Sequence, residues 1–165
     1  MILYGEILQE FQKQKVKYVL VGGMAVNLLG FQRSTADMDI LVEMSDKNLK
    51  KIISILKKQG YKVKQPVDPM GMANKKIRTD WIQNKNMKAF NFYKEKAMRE
   101  VDIIIKTPVS YEVARKNMVH FKSGNIKLPV ISIKDLIKMK KAASRDIDKM
   151  DIVKLEEARK VGVKK

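Results

Sequence analysis

The chain has 165 residues, 45 % of them hydrophobic, and its 35 Lys and Arg against 18 Asp and Glu give a net charge of +17, which fits one packed domain that attracts polyanions. Cysteine is absent and His120 is the single histidine, so disulfides, zinc–thiolate sites, cysteine nucleophiles and multi-histidine metal sites are excluded. No apolar run reaches the roughly 18–20 residues of a membrane span, and Glu6 and Glu10 interrupt the stretch where a secretory signal would be apolar, so we expect a cytoplasmic protein.

Hydrophobic periodicity and turn signals predict alternating helices and strands along most of the chain. Helices are expected at residues 2–11, 24–29, 46–56, within 70–86, at 110–114 and from 133 onwards. Strands are expected at residues 17–21, 37–42, 61–64, 87–93 and 99–105, and on both sides of a turn at 122–125. Residues 145–158 either continue the preceding helix or form a separate one. The pattern predicts a single α/β domain over residues 1–165, with a catalytic core at about 1–106 and a C-terminal extension with a helical tail at about 107–165.

A glycine pair follows the first predicted strand. Gly22 and Gly23 come directly after Val21. Glycines in this position let backbone N–H groups approach phosphate oxygens near the positive end of the next helix. A simple tight turn explains the same pair. A Walker loop is excluded because no Gly-Lys-Ser or Gly-Lys-Thr follows.

Three aspartates stand on predicted strands. Asp37 and Asp39 are two residues apart, so their carboxylates project from the same face, and Asp102 interrupts an otherwise apolar strand. A carboxylate in such a strand is costly unless it is paired or metal-bound. If the two strands are neighbours, the three acids meet at one place and suit a pair of divalent cations acting in displacement at phosphorus. Solvated strand ends are the alternative explanation for the Asp-x-Asp pair.

The order of these motifs resembles the nucleotidyltransferase superfamily of polymerase-beta-like enzymes. A strand, a glycine pair, a helix, an Asp-x-Asp pair and a third acid on a later strand follow one another between about Val16 and Leu155. Residues 30–39, Gly-Phe-Gln-Arg-Ser-Thr-Ala-Asp-Met-Asp, are most similar to the small bacterial branch that contains the AbiEii-like toxins. The resemblance implies a mixed sheet flanked by helices, and transfer of a nucleoside monophosphate from an NTP to an acceptor hydroxyl with release of pyrophosphate.

The resemblance also implies roles for individual residues. Asp37 and Asp39 would bind both of two Mg²⁺ or Mn²⁺ ions, and Asp102 would bind one and help to deprotonate the acceptor. The residues expected near the nucleotide are Gly22, Gly23, Arg33, Thr35, Lys140 and Arg145.

Arg145, Asp148 and Asp151 are spaced i, i+3 and i+6, which is similar to the late helix of that branch but also fits a surface ladder of ion pairs. For His120 we expect an ordinary, partly exposed imidazole.

Several functions remain compatible with the sequence. Residues 1–60 carry a net charge of +3 and residues 61–165 a net charge of +14, which favours RNA, most simply tRNA, as the acceptor. A lysine-rich composition explains the same surplus. The alternatives are an RNA-binding module without catalysis, nucleotidylation of a partner protein, a component of a toxin–antitoxin pair with a cognate antitoxin, and antibiotic adenylylation. Three acids on strands favour the enzyme, because a pure RNA binder has no need of clustered negative charge.

Overall fold

The computed structural model of the chain describes residues 3–31 and 35–162, and within them seven strands form one mixed sheet. The strands are β1 (Tyr18–Val21), β2 (Asp37–Val42), β3 (Lys62–Val63), β4 (Ala89–Lys94), β5 (Arg99–Ile104), β6 (Val119–Ser123) and β7 (Ile126–Val130). Their order across the sheet is β3-β4-β5-β2-β1-β7-β6. The predicted strands are therefore confirmed, and β6 and β7 extend the same sheet as the strands of residues 1–106.

Seven α-helices flank this sheet in the described part of the chain. They are α1 (Gly5–Lys13), α2 (Gly22–Leu28), α3 (Asp46–Lys58), α4 (Lys75–Gln83), α5 (Tyr111–Asn117), α6 (Ile133–Ala143) and α7 (Asp146–Lys160). Two 3₁₀ turns lie at Pro69–Ala73 and Glu95–Ala97. The α/β fold class with a mixed sheet and a helical C-terminal tail is confirmed. Among these helices we find none with the length and hydropathy of a bilayer span.

Serine side chains cap the N-termini of three of the helices. Ser45, Ser110 and Ser132 each accept a hydrogen bond from the backbone N–H three residues later. Each bond satisfies a donor that the first helical turn leaves unpaired. At the other end of α6, Ser144 takes the left-handed conformation with φ 56°. The chain therefore breaks there, and α7 is a separate helix.

The centre of the sheet is apolar except where β2 and β5 carry acids. All four residues of β1 are buried, and so are Ile40, Leu41 and Val42 in the second half of β2. The sequence of a strand that is covered on both faces is typically a continuous apolar run. Asp37 and Asp39 stand in the first half of β2, next to the point where β1 ends.

The register of the central strands brings the predicted acids together. β2 pairs with β5 in parallel, with Asp37 beside Glu100 and Asp39 beside Asp102. β1 pairs with β2 in antiparallel fashion, with Val21 opposite Asp39. Side chains at paired positions of adjacent strands lie on the same face of the sheet. The glycine pair after Val21 and the acids of two strands therefore share one end of the sheet.

Candidate active site

Four carboxylates form a cluster on neighbouring positions of β2 and β5. We call Asp37, Asp39, Glu100 and Asp102 the acid cluster. Within it, ligand atoms of Asp37, Glu100 and Asp102 all lie within 4.8 Å of one another. Such carboxylate oxygens are the hard ligands that Mg²⁺ and Mn²⁺ prefer. The donor set therefore fits the divalent cation that the sequence predicts.

Burial and neighbouring carboxylates both disfavour the charged form of Asp39. Burial, followed by the charges of Asp102 and Asp37, raises the pKa of its carboxyl from 3.8 to about 7. Burial and the charges of Glu100 and Asp102 also raise the pKa of Asp37. Raised pKa values mean that burial and neighbouring negative charges disfavour the ionised carboxylates, and positive charge close by would offset both effects. A bound cation would supply that charge, so the electrostatics agree with the chemistry of the donor set.

Gly22 is required by the position of Asp39. Its φ of +67° lies in the left-handed region, and a Cβ built on it would overlap Oδ2 of Asp39. Any side chain at this position would have to displace the carboxylate. Gly23 is buried in the first turn of α2. The contact of both glycines with a nucleotide stays a prediction.

Asp102 is held by a polar network that sequence reasoning missed. Asn91 on β4 lies opposite Asp102 and donates from Nδ2 to Oδ1 of Asp102 over 2.8 Å. Gln65 in turn donates from Nε2 to Oδ1 of Asn91 over 2.7 Å and accepts from its backbone N–H over 3.2 Å. The network fixes the orientation of the Asp102 carboxylate, which is how outer residues usually position a metal ligand.

Glu100 is the second residue that sequence reasoning missed. It stands two residues before Asp102 in the strand motif Arg99-Glu-Val-Asp, so the alternation that groups Asp37 with Asp39 also groups Glu100 with Asp102. Lys64 forms an ion pair with Glu100 at the rim. The strand period was the signal that could have found Glu100, whereas Asn91 and Gln65 depend on the register of β4.

Lys140, which the sequence predicts near the nucleotide, is buried against two acids of α7. We call Lys140, Asp148 and Asp151 the buried network. The ammonium of Lys140 lies 3.1 Å from Asp148 and 3.0 Å from Asp151. Arg145 also donates from Nε to Asp148 over 2.8 Å. Although burial opposes it, hydrogen bonds from Arg145 and Lys140 lower the pKa of Asp148. Asp148 is thus a buried ion-pair partner that joins α6 to α7.

A cleft of about 600 Å³ connects the acid cluster with the helical tail. Gly22, Asp39, Lys140 and Arg145 all line it, so the structure brings four predicted site residues to one cavity. Ile104, Leu136 and Met139 supply an apolar part of the wall. An apolar cavity with a few convergent charged groups is the usual form of a small-molecule site.

Two other residues singled out by the sequence, Thr35 and His120, lie outside this cleft. Thr35 is half-buried two residues before Asp37 and does not line the described walls of the cleft. Arg33 lies outside the described residues. His120 stands on β6, where burial and the charge of Lys127 lower its pKa, and it is exposed as expected.

The chain is similar to a family of proteins in sequence and to several solved structures in fold. A family described as "Nucleotidyltransferase of unknown function (DUF6036)" matches residues 3–163. The curated proteins contain no match. The fold is similar to that of the lincosamide antibiotic adenylyltransferase LnuA in a lincomycin-bound crystal structure, with 23 % identity, a TM-score of 0.62, and coverage of 91 % of this chain and 92 % of that one.

Two further structures share the fold. ANT(2")-Ia, in complex with adenylyl-2"-tobramycin, has 12 % identity and a TM-score of 0.58, with coverage of 95 % of this chain and 86 % of that one. An antigenic nucleotidyltransferase-like protein from Paracoccidioides brasiliensis has 14 % identity and a TM-score of 0.52, with coverage of 90 % and 71 %. At these identities the likeness concerns the fold.

Proposed function

This chain belongs to the nucleotidyltransferase family DUF6036, and we propose that it transfers a nucleoside monophosphate from an NTP to an acceptor hydroxyl, using the acid cluster to hold Mg²⁺ or Mn²⁺. The observation that carries this proposal is the pairing of Asp39 beside Asp102 and of Asp37 beside Glu100 on adjacent parallel strands. The superfamily and the enzyme class predicted from the sequence are confirmed. The AbiEii-like branch and a toxin–antitoxin role stay predictions.

The proposed reaction forms one bond and breaks one. The acceptor oxygen attacks the α-phosphorus, the bond to the bridging oxygen breaks, and pyrophosphate leaves. Asp102 takes the hydroxyl proton, and Asn91 keeps that carboxylate in place. Divalent cations on the acid cluster would neutralise the phosphate charge and lower the pKa of the acceptor hydroxyl.

The cleft is the proposed binding site for the NTP. Its apolar wall suits the base, and Gly22 stands at its border with the acid cluster. Arg145 is a cation of the cleft that can reach the triphosphate, because its side chain is 68 % exposed while still bonded to Asp148. Lys140, whose ammonium is already balanced by two carboxylates, contributes to the cleft chiefly by holding α7 against α6.

For the acceptor we propose RNA, with tRNA as the first case to test. The support is the net charge of +17, which favours a polyanion. A small molecule with a free hydroxyl is the second candidate. It is favoured by the likeness of the fold to a lincosamide antibiotic adenylyltransferase, over 92 % of that chain, and to ANT(2")-Ia in complex with adenylyl-2"-tobramycin.

Transfer of label from radioactive NTPs tests both proposals. The protein and Mg²⁺ are incubated with each α-labelled NTP and, in separate reactions, with total tRNA, with protein extract, with lincomycin or with tobramycin. We expect label in tRNA and release of pyrophosphate, both lost in Asp102→Asn. Label only in an antibiotic or only in protein would overturn the RNA acceptor and keep the transferase chemistry. No pyrophosphate release with any acceptor would contradict the proposed reaction.

A further inference from the structure

A second cavity lies at the start of β1, between α1, α5 and the β6–β7 hairpin, and has a volume of about 630 Å³. We call it the basic pocket. No acidic residue of the described chain lines it, whereas six basic ones do: Lys15, Lys17, Arg115, His120, Lys122 and Lys127. None of its lining residues also lines the cleft. The two cavities are therefore separate sites.

The basic pocket holds positive charge that the protein does not balance. Lys122 and Lys127 lie directly opposite each other on β6 and β7. Like charges at opposed positions of two strands reduce stability. Lys17 and Arg115 have acidic partners, Glu43 at 3.3 Å and Glu112 at 3.6 Å, but the described residues give Lys122 and Lys127 none. An anion between these strands would relieve the repulsion.

A buried hydroxyl without a partner is a second indication that the basic pocket binds a ligand. Tyr18 lines the basic pocket, is 6 % exposed, and its Oη has no hydrogen-bond partner among the described residues. Its ring packs edge-on against Phe11, with centroids 5.0 Å apart. Burial raises the pKa of Tyr18, so the phenol stays protonated and is available as a donor. A buried hydroxyl that bonds to nothing is costly unless a ligand accepts a hydrogen bond from it.

We propose that the basic pocket binds the phosphate group of a nucleotide, either free or within an RNA strand. Tyr18 donates a hydrogen bond from its hydroxyl to a phosphate oxygen, and Lys122 and Lys127 supply the charge. Tyr111, which also lines the basic pocket, adds an aromatic ring of the kind on which bases stack. The proposal is independent of the transfer chemistry, because the basic pocket and the acid cluster share no residue.

Amide shifts in a ¹⁵N-labelled sample locate the site directly. The intact protein in EDTA is titrated with inorganic phosphate, then with 5′-AMP, then with a 12-nucleotide single-stranded RNA. We expect saturable shifts at Tyr18, Gly124 and Lys127. Shifts with all three probes indicate a site for free phosphate or nucleotide, and shifts with RNA alone indicate a site for the strand. Shifts confined to cleft residues such as Gly22, with none of the probes moving Gly124, would overturn the proposal.

Two variants separate the charge from the hydroxyl. Lys122→Gln with Lys127→Gln is expected to weaken RNA binding and to reduce the slope of log K against log salt by about 1.4, since single strands give roughly 0.7 per phosphate contact. The matched control, Lys50→Gln with Lys57→Gln on the exposed side of α3, should change neither value. If both double variants lose RNA affinity equally, the loss reflects net charge alone, and the proposed site is overturned.

Tyr18→Phe tests the hydroxyl itself. Removing an unpaired buried hydroxyl should leave the melting temperature of the free protein unchanged or higher, while phosphate or RNA binds about tenfold more weakly. A lower melting temperature together with unchanged binding would mean that Tyr18 bonds within the protein, and would contradict its assigned role.

Discussion

The acid cluster and the buried network place the same kind of side chain in opposite electrostatic surroundings. Asp148 is bonded to Lys140 at 3.1 Å and to Arg145 at 2.8 Å, and its pKa is lowered despite burial. Asp39 has other carboxylates as its main charged neighbours, and burial together with those charges raises its pKa to about 7. Asp39 and Asp148 both line the same cleft.

This difference in surroundings distinguishes acids that stabilise the fold through ion pairs from acids that are suited to bind a cation. A carboxylate surrounded by cations stabilises the folded state, and its loss leaves those cations unpaired. A carboxylate surrounded by carboxylates destabilises the folded state until a cation binds. Neutralising an acid should therefore have opposite effects on stability in the two places.

Activity should respond most strongly in the acid cluster. Asp39→Asn and Asp102→Asn each remove a metal ligand, so we expect nucleotidyl transfer to fall by at least roughly a thousandfold. The melting temperature should stay the same or rise, because repulsion is relieved. Label transfer and thermal unfolding are measured on the same preparations, with the exposed Asp146→Asn as control. A large fall in melting temperature in both variants would make these acids structural.

Stability should respond most strongly in the buried network. Asp148→Asn leaves the ammonium of Lys140 buried with less compensation, and breaking such a pair costs about 3–5 kcal/mol. Urea unfolding measures the loss. A triple replacement, Lys140→Met with Asp148→Leu and Asp151→Leu, removes all three charges together and should lose less. If Asp148→Asn is as stable as the parent protein, the buried network does not stabilise the joint between α6 and α7.

Asn91 should affect the metal affinity of the acid cluster although it is not one of its carboxylates. Asn91→Ala frees the Asp102 carboxylate to rotate, and we expect Mg²⁺ to bind about 10–100-fold more weakly. Titration of activity with Mg²⁺ measures this, and saturating metal should restore much of the rate. Asn84→Ala serves as the matched control, since Asn84 makes a similar bond to the exposed Asp80. If Asn91→Ala needs the same Mg²⁺ concentration for activity as the parent protein, Gln65 and Asn91 do not position the metal ligand.

The two groups should also give opposite dependences of stability on pH. The pKa of Asp39 is raised in the folded state, so the folded protein binds more protons than the unfolded chain between pH 3.8 and about 7. Stability from this group therefore falls as pH rises through that window in EDTA. The pKa of Asp148 is lowered, so its contribution is present above pH 3.8 and is lost as pH falls below it.

Unfolding between pH 4.5 and 7.5 isolates the Asp39 effect. We expect Asp39→Asn to gain stability relative to the parent protein as pH rises, and Mg²⁺ to remove the difference. A constant difference across this range in EDTA would mean that Asp39 is not under strain from its neighbours.

The sequence was sufficient to predict the strands, the helices before residue 144 and the place of the three aspartates on strands, because all of these follow from local periodicity. Glu100 was within reach of the same reasoning, since it stands two residues before Asp102 on one strand. Asn91 and Gln65 were not, because their contacts depend on which strands pair and in what register. The pairing of Lys140 with Asp148 depends on the break at Ser144, which folds α7 back onto α6. The basic pocket depends on the β6–β7 register and on packing against α5.

Calorimetry of nucleotide binding with and without metal tests the central claim most directly. Each NTP is titrated into the protein in Mg²⁺ and again in EDTA, and the pair is repeated with Asp39→Asn and Asp102→Asn. Because four carboxylates repel a triphosphate until a cation screens them, we predict at least about tenfold tighter binding in Mg²⁺ for the parent protein. The gain should disappear in both variants. Equal affinity in Mg²⁺ and EDTA for the parent protein would contradict the assignment of the acid cluster as a metal site.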